Sequence, residues 1–319
     1  MHFDVFNGDA DGICGLHQFR LANPCIAQLV SGVKRDVNLL ARVSAEVGDR
    51  VTVFDVSLLS NRVDLGRLLA QGVRVEYFDH HEAGELPVND LFAGHIDTAA
   101  DVCTSIIVDR LLDGRFRSWA VAAAFGDNLP VAAGALAGRA GLDKAQQHVL
   151  HQLGECLNYN GYGDNIEDLF FDPVALYRVL SQYESPFDFV AHAAEFKVLA
   201  EGLASDTIWL QKLRPAIDND CCRIYMLPGT AQGRRTSGTL ANRVALERPQ
   251  TAHAVLTPNS RGTYTVSVRA PVTRPYRAQD VCRQFGGGGR QAAAGINDLT
   301  DEQVGRFVET MATTFRVES

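Results

Sequence analysis

The sequence predicts an α/β protein with three parts: an N-terminal domain built on a parallel sheet with helices on both faces, a long linker helix, and a smaller C-terminal α+β domain. The main support is the alternation of short apolar strand candidates with helical segments in the first part of the chain, since this order is typical of a parallel sheet covered by helices. The length of 319 residues exceeds the usual size of one domain. Beyond residue 213 the pattern changes, and strand candidates become more frequent.

The individual elements follow from hydrophobic periodicity and from turn residues. Strands of the N-terminal domain are predicted at residues 3–6, 27–30, 51–56 and 73–78. Helices of that domain are predicted at residues 13–21, 61–71, 131–140, 143–153 and 173–182. The C-terminal domain is predicted to combine strands at residues 223–226, 252–256 and 264–268 with helices at 238–246 and 277–285. The domains are therefore expected at residues 1–186 and 214–319, with one linker helix over residues 187–213.

Charge is distributed unevenly between the two halves. The net charge is −8, but residues 214–319 contain 14 Arg, no Lys and 9 acidic residues, a sum of +5, which leaves −13 for residues 1–213. An acidic half suits cation binding, and an arginine-rich half suits phosphate because guanidinium groups bind phosphate oxygens in a bidentate manner. The alternative is that two solvated surfaces simply differ in charge.

Two carboxylates stand close together in the loop Asp9-Ala10-Asp11-Gly12, directly after the first predicted strand. Such a pair can direct its carboxylates to different ions of a two-metal site, and the glycine permits a turn that a side chain would obstruct. The alternative is a helix cap or a turn, a common role for this type of loop.

The strongest sign of a metal site is the triplet Asp79-His80-His81 at the end of the strand at residues 73–78. Imidazole and carboxylate together favour Mn²⁺, Fe²⁺ or Zn²⁺. One histidine could bind the metal while the other faces the substrate, and Asp79 could orient a histidine. Asp55 at a strand end and Asp127 after an apolar run are further acids, and each could instead cap a helix. Acids that converge at the carboxyl edge of a sheet would repel each other unless cations intervened.

The order of these motifs, with a glycine-rich segment near the C-terminus, resembles the DHH phosphoesterase superfamily with an attached DHHA1 domain. The resemblance spans nearly the whole chain. It implies a catalytic DHH domain, a substrate-binding DHHA1 domain, an active site in the cleft between them, and two divalent cations, Mn²⁺ above all. The implied roles are Asp9 on one ion, Asp11, His80 and Asp127 on the other, Asp55 bridging both, His81 on the substrate side and Asp79 as support.

The same resemblance implies substrate-binding residues in the C-terminal domain. Arg269 ends the family's arginine-bearing strand, and Arg290 follows the glycine run; both are expected to bind phosphate. Small residues in the run leave room for a phosphate or a base, although a flexible turn is the alternative. The further substrate-binding positions are Gly287, Gly288, Gly289, Ser237 and Asn242, with Arg235, Arg274 and Arg277 as weaker candidates.

The sequence departs from the family pattern at two positions. Many relatives have a histidine ligand where this chain has Val5, so either Asn7 or a water compensates, or the first ion binds more weakly. Arg290 replaces a histidine after the glycines, which favours an anionic group because guanidinium donates hydrogen bonds and cannot accept them. Asp101 and Thr104 lie at the start of a helix and are expected to cap and support it.

The expected function is the Mn²⁺-dependent hydrolysis of short oligonucleotides or linear dinucleotides such as pGpG to mononucleotides. A phosphatase acting on 3′-phosphoadenosine-5′-phosphate and a nucleotide-binding protein without turnover are the alternatives. No apolar run approaches the roughly 18 residues of a membrane helix, and acids stand where a signal peptide would need basic and apolar residues. We therefore expect a cytoplasmic protein with no membrane or long duplex as partner; a homodimer is left open.

Overall fold

The computed structural model describes residues 1–316 and divides the chain into two compact units, Met1–Leu203 and Ala204–Ser319. We call them the N-terminal unit and the C-terminal unit. In the N-terminal unit, described residues form a five-stranded sheet of β1 (His2–Phe6), β2 (Gln28–Val30), β3 (Arg50–Phe54), β4 (Arg74–Asp79) and β5 (Phe92–Ile96). The strand order is β2-β1-β3-β4-β5, and each neighbouring pair is parallel. The parallel sheet is as expected.

Alternation of side chains along these strands creates two cores, one on each face of the sheet. Phe6, Phe54 and Phe78 belong to one core, and the rings of Phe54 and Phe78 stack at 5.2 Å. Val53 and Tyr77, one residue earlier on their strands, belong to the other core. Helices therefore cover both faces.

The helices of the N-terminal unit fall mostly on the face that carries the phenylalanines. They are α1 (Ala10–Ala22), α2 (Arg62–Ala70), α3 (Thr104–Leu111), α4 (Arg117–Gly126), α5 (Pro130–Arg139), α6 (Lys144–Gly161), α7 (Pro173–Leu180), α8 (Pro186–His192) and α9 (Ala194–Leu210), the last of which continues into the C-terminal unit. Helix α2 packs on the opposite face through Leu65, Leu68 and Leu69. Short 3₁₀ helices occur at Leu39–Arg42 and Ile166–Asp168.

Two glycines bring α4 and α6 into close contact. A Cβ on Gly154 would lie 2.1 Å from the Ala122 carbonyl oxygen, and a Cβ on Gly126 would lie 2.8 Å from the Gly154 carbonyl oxygen. No side chain fits at either position. The approach places the C-terminal end of α6 next to the loop after β1, where a Cβ on Gly161 would lie 3.0 Å from the Cβ of Asp9.

The prediction of one helix over residues 187–213 is wrong in detail. The structure has two helices, because Ala193 adopts an extended backbone conformation with ψ of 123° between α8 and α9. An extended residue ends the i to i−4 hydrogen-bond pattern, so α8 and α9 are separate helices.

The C-terminal unit contains a mixed sheet. Its described strands are β6 (Ile217–Asp218), β7 (Cys222–Met226), β8 (Ala252–Pro258), β9 (Tyr264–Arg269), β10 (Gly288–Gly289) and β11 (Ala293–Leu299), in the order β10-β11-β9-β8-β7-β6. The β7–β8 pair is parallel, and the other neighbouring pairs are antiparallel. Its further helices are α10 (Ala231–Glu247), α11 (Ala278–Arg283) and α12 (Asp301–Phe315).

The two faces of this sheet are also covered. Leu240 and Val244 of α10 pack with Val255 on one face. Phe285, near α11, and Phe307 of α12 pack on the other. The smaller α+β unit is therefore as expected. In residues 1–316, no helix combines the length and apolar character that crossing a membrane requires.

Candidate active site and metal centre

The acids expected at the carboxyl edge of the parallel sheet do lie there. Asp9 caps α1 after β1, Asp55 follows β3, and Asp79 ends β4. All three side chains are buried, with residue exposures of 1%, 3% and 0%. Burying an isolated carboxylate is costly, so each must find a partner.

Asp9 acts as a helix cap, one of the two alternatives that the sequence left open. Its Oδ1 accepts hydrogen bonds from the backbone N–H groups of Asp11 and Gly12 at 3.0 and 3.1 Å. Gly12 is required at this turn, because a Cβ would lie 2.2 Å from the carbonyl oxygen of Asn7. The cap uses one carboxylate oxygen and leaves Oδ2 for another partner.

Asp11 ties α1 to α3. Its two carboxylate oxygens accept hydrogen bonds from the backbone N–H groups of Thr104 at 2.7 Å and Ser105 at 2.8 Å. The Thr104 hydroxyl donates to Asp55 Oδ1 at 3.3 Å. Because an ionised carboxylate can accept about four hydrogen bonds, Asp11 keeps lone pairs for a cation. Thr104 thus has the supporting role that was expected, whereas Asp101 is exposed and Cys103 is the N-cap residue of α3.

Asp55 combines a strained backbone with an unfavourable charge environment. Its φ is 57°, in the left-handed region, where a non-glycine residue is uncommon. Burial, followed by the charges of Asp9 and Asp11, raises the pKa of Asp55 well above its usual range. Strain and charge concentrated on one residue are typical of functional sites.

His80 presents a metal-binding lone pair to three acids. Its Nδ1 lies 2.9 Å from the Val102 carbonyl oxygen, which can only accept, so Nδ1 carries the proton in the neutral ring and Nε2 is left with a lone pair. Nε2 lies 3.3 Å from Asp55 Oδ1 and 4.0 Å from both Asp11 Oδ2 and Asp127 Oδ2. A carbonyl that fixes the tautomer of a histidine in this way is common at metal sites.

The donor set around His80 fits one divalent cation. Asp127 Oδ2 is buried and has no hydrogen-bond partner within residues 1–316. Burial, as the largest cause, raises the pKa of Asp127. Ligand atoms of Asp55, His80 and His81 lie within 4.8 Å of one another. A cation here would satisfy the Asp127 oxygen and offset the repulsion among the acids.

His81 is held by Asp79 and faces outward. Its Nδ1 lies 2.6 Å from Asp79 Oδ1, and the side chain is 40% exposed. Asp79 also accepts hydrogen bonds from the backbone N–H groups of Leu58, His80 and His81. Burial acts to lower the pKa of His81, but the hydrogen bond and charge of Asp79 outweigh it and raise the pKa. Asp79 thus fixes the orientation of the His81 ring.

Lys34 follows β2 and reaches Asp9, a contact that was not predicted from the sequence. Its Nζ lies 2.5 Å from Asp9 Oδ2, 2.9 Å from Asn158 Oδ1 and 3.8 Å from Asp127 Oδ1. Burial would lower the pKa of Lys34, but the charge of Asp9, with Tyr162 and Asp127, holds it well above its usual range. The available signal was position, because Lys34 follows a strand of the same parallel sheet just as Asp9 and Asp55 do.

In the C-terminal unit, Arg269 and Asn242 are brought together. The guanidinium of Arg269, at the end of β9, donates through Nε and one Nη to Asn242 Oδ1 on α10 at 3.0 and 2.9 Å. Ser237, on the same helix, is 6% exposed, and its hydroxyl donates to the Arg234 carbonyl oxygen. The substrate-binding roles of these residues stay predictions.

Close packing requires glycine at two positions of the glycine run. A Cβ on Gly287 would lie 2.2 Å from the Gly295 carbonyl oxygen, and one on Gly289 would lie 2.6 Å from the Ala294 Cα. Around Gly288 the space is open. Arg290 is exposed, and its backbone pairs with Ala293, which is in register with Arg269. The hairpin thus brings the backbone of Arg290 near the strand that carries Arg269.

The weaker arginine candidates differ in their contacts. Arg235 lies 3.4 Å from Asp206, and Arg277 donates to the Thr314 carbonyl oxygen. These contacts give both residues a structural role. Arg274 follows β9 in a turn, where its backbone N–H donates to the Pro271 carbonyl oxygen.

Comparison with known proteins supports this fold. No protein-family model matches the chain, and no curated protein sequence matches it significantly. Among solved structures, the chain is similar to the pGpG-specific phosphodiesterase PggH from Vibrio cholerae, with a TM-score of 0.59, 13% identity and 98% of each chain covered. It is also similar to RecJ from Thermus thermophilus in complex with Mn²⁺, with a TM-score of 0.60, 18% identity and coverage of 98% of this chain and 51% of that one.

A further RecJ exonuclease structure bound to manganese gives a TM-score of 0.55 at 18% identity, covering 99% of this chain and 91% of that one. At such identities the likeness shows a shared fold. The two-domain α/β fold that the sequence predicted is therefore confirmed.

Proposed function

We propose that this protein is a divalent-cation-dependent phosphodiesterase that hydrolyses short oligonucleotides or linear dinucleotides such as pGpG to mononucleotides, with Mn²⁺ as the cation. The observation that carries the proposal is the lone pair of His80 Nε2, which faces Asp55, Asp11 and Asp127 at 3.3 to 4.0 Å. The resemblance implies two ions; the ligand set around His80 is the part of that expectation that the geometry supports. Mixed imidazole and carboxylate ligands suit Mn²⁺.

The residues of this set would hold the cation as follows. Asp11, Asp55, His80 and Asp127 supply one nitrogen and several carboxylate oxygens. When bound there, a divalent cation supplies Lewis acidity toward phosphoryl oxygens and lowers the pKa of water. The backbone N–H groups of Thr104 and Ser105 hold Asp11 in place, and the Thr104 hydroxyl holds Asp55. Ligands fixed before the substrate arrives need little reorganisation during the reaction.

His81 is the proposed proton donor to the leaving group. The sugar oxygen that leaves phosphorus takes up a proton as the P–O bond breaks, and a positioned imidazolium can provide it. Asp79 holds the Nδ1 side of the ring at 2.6 Å, so that Nε2 is the nitrogen left for the substrate. Burial acts against protonation of the ring, but the hydrogen bond and charge of Asp79 raise the pKa of His81 and so favour the imidazolium.

Arg269 and Arg290 are the proposed phosphate-binding residues. The Arg269 guanidinium donates to Asn242 Oδ1, and this amide oxygen orients the group. Guanidinium groups bind phosphate oxygens in a bidentate manner. A 5′-phosphorylated dinucleotide offers a terminal phosphate for such a contact while its internal phosphodiester reacts.

The test is hydrolysis by chelator-stripped protein with and without added Mn²⁺, on pGpG, on longer oligonucleotides and on 3′-phosphoadenosine-5′-phosphate. We expect Mn²⁺-dependent release of guanosine monophosphate from pGpG at a higher kcat/KM than for the longer strands. Faster phosphate release from 3′-phosphoadenosine-5′-phosphate would replace the proposal with the phosphatase alternative. Nucleotide binding without any turnover would replace it with the non-catalytic alternative.

A further inference from the structure

Lys34 lies in the acidic cluster, beside Asp9. Its ammonium contacts Asp9 Oδ2 at 2.5 Å and Asn158 Oδ1 at 2.9 Å, and it lies 3.8 Å from Asp127 Oδ1. The backbone N–H of Lys34 donates to the Gly161 carbonyl oxygen at 2.8 Å, which fixes the residue against the end of α6. Only 25% of the lysine side chain is exposed. Three oxygen atoms thus surround the ammonium and fix its position.

These contacts use both oxygens of Asp9. Oδ1 caps α1, and Oδ2 binds the ammonium. The two carboxylate oxygens of Asp127 face different partners. Oδ1 faces Lys34, and Oδ2 lies 4.0 Å from His80 Nε2. Val5 stands where the resemblance implies a histidine ligand, and it is fully buried in the core on the opposite face of the sheet from α1. The donor set therefore fits a divalent cation next to His80 Nε2 and does not fit one next to Asp9 Oδ2.

We propose that the Lys34 ammonium takes the place of one of the two divalent cations, so that this site holds a single divalent cation beside a fixed lysine. This inference rests on the proposed function, whose site it describes, and it revises the number of ions that the resemblance implies. Lys34 is a positioning residue here: it fixes Asp9 and Asp127 and balances their charge.

Charge balance favours this arrangement. Four negative charges are present when Asp9, Asp11, Asp55 and Asp127 are ionised. One divalent cation and one ammonium would leave a net charge of −1. Two divalent cations plus the ammonium would instead leave one positive charge. A divalent cation about 4 Å from the ammonium would also lose roughly 30-fold in affinity through repulsion, even with the screening of bulk water. A second ion is thus disfavoured as long as Lys34 is present.

The same oxygens would accept a cation if the ammonium were removed. Asp9 Oδ2, Asn158 Oδ1 and Asp127 Oδ1 are hard oxygen donors already directed at one point. Asn7 Oδ1 is buried without a hydrogen-bond partner in residues 1–316 and offers a fourth oxygen in the same loop. Lys34→Met removes the charge and keeps an unbranched side chain, so it should open a second cation site.

The experiment measures bound Mn²⁺ per chain, with Mn²⁺ alone as the probe, on chelator-stripped full-length protein. Equilibrium dialysis with elemental analysis gives the stoichiometry. Low-temperature electron paramagnetic resonance distinguishes an isolated ion from a coupled pair, since ions of two-metal sites lie roughly 3.5 to 4 Å apart. The matched control is Lys197→Met, because Lys197 lies in the same unit with a 79% exposed side chain.

We expect one uncoupled Mn²⁺ per chain in the wild type and in Lys197→Met, and two coupled ions in Lys34→Met. The second ion should bind to Lys34→Met at least about 30-fold more tightly than to the wild type. Two coupled ions in the wild type would overturn this inference while leaving the proposed function intact, and that measurement does not depend on the variant folding. One ion in a folded Lys34→Met would also overturn it. No Mn²⁺ bound to the wild type would remove the proposed function itself.

Discussion

The two units of the molecule hold their functional charges in opposite ways. In the N-terminal unit, Asp9, Asp11 and Asp55 are at most 3% exposed and lie within one cluster. In the C-terminal unit, Arg290 is exposed and Arg269 is half-buried beside a neutral amide. Buried charges must be offset by fixed partners, whereas exposed charges are solvated by water and can exchange it for an anion. The difference predicts that the first unit controls the chemical step and the second controls substrate affinity.

The largest expected effect comes from removing a buried charge of the N-terminal unit. Asp55→Asn should lower kcat by at least about 10³-fold and abolish Mn²⁺ binding, because the residue nearest to His80 Nε2 loses its charge. Asparagine tolerates the positive φ of 57° at this position, so the fold should persist. Steady-state kinetics and a Mn²⁺ titration provide the measurement.

The matched control for Asp55→Asn is Asp4→Asn. Asp4 is equally buried, at 1% exposure, on the same sheet, but it pairs with Arg20 instead of with the cluster. This variant should lose stability and keep Mn²⁺ binding. If Asp55→Asn kept full activity, the assignment of the cluster as the chemical centre would be wrong.

The next effect separates proton transfer from metal binding within the same unit. His81→Gln should lower kcat by about 10²-fold, since the proposed proton donor is lost, while Mn²⁺ affinity changes little. His80→Gln should lose the ion, because its ring nitrogen is the one that faces Asp55. The two variants are compared by kcat and by Mn²⁺ stoichiometry, and equal loss of the ion in both would contradict the division of roles.

A buried histidine of the N-terminal unit should make stability depend on pH. Burial lowers the pKa of His17 to about 4, so the ring stays neutral in the folded protein while the unfolded chain takes up a proton below about pH 6.5. The contribution of His17 to stability should therefore be constant above that pH and fall by up to about 3 kcal/mol as pH drops from 6.5 to 4.

His17→Gln tests this, because the amide can still donate to the Tyr183 carbonyl oxygen that His17 Nε2 contacts at 2.8 Å. The difference between wild-type and variant unfolding free energies, from urea titrations in chelator at several pH values, isolates the contribution of His17. The exposed His148 supplies the control substitution His148→Gln. A difference that is independent of pH would show that burial does not keep His17 neutral.

The smallest effect is expected in the C-terminal unit. Arg269→Ala should raise KM for pGpG by about tenfold with little change in kcat, because a phosphate contact made equally in ground and transition states affects binding alone. Arg283→Ala is the control, because Arg283 is exposed on α11 and has no proposed substrate role, and it should leave KM unchanged. A selective fall in kcat for Arg269→Ala would instead place this arginine in contact with the transition state.

The parts of the site that follow strand ends could be predicted from the sequence. Asp9, Asp55 and Asp79 each come directly after or at the end of an apolar strand, and parallel strands bring their carboxyl ends to one edge. Lys34 also follows a strand of this sheet, but its contact with Asn158 on α6, 124 positions away, could not be predicted. No local pattern encodes that distance.

Two of the features that were not predicted lack local signals. Strand β5 has the sequence FAGHI, with neither strict alternation nor an apolar run, and its place depends on pairing with β4. The break at Ala193 has no glycine or proline at the position itself. At these positions tertiary packing determines the backbone conformation, and local sequence propensity does not.

The most direct test of the central claim is a crystal of the full-length protein soaked in Mn²⁺, with anomalous diffraction locating the ion. We predict a strong anomalous peak between His80 Nε2 and the carboxylates of Asp55, Asp11 and Asp127. A cluster with no peak, or a peak away from His80, would contradict the claim that these buried acids are gathered to hold a divalent cation.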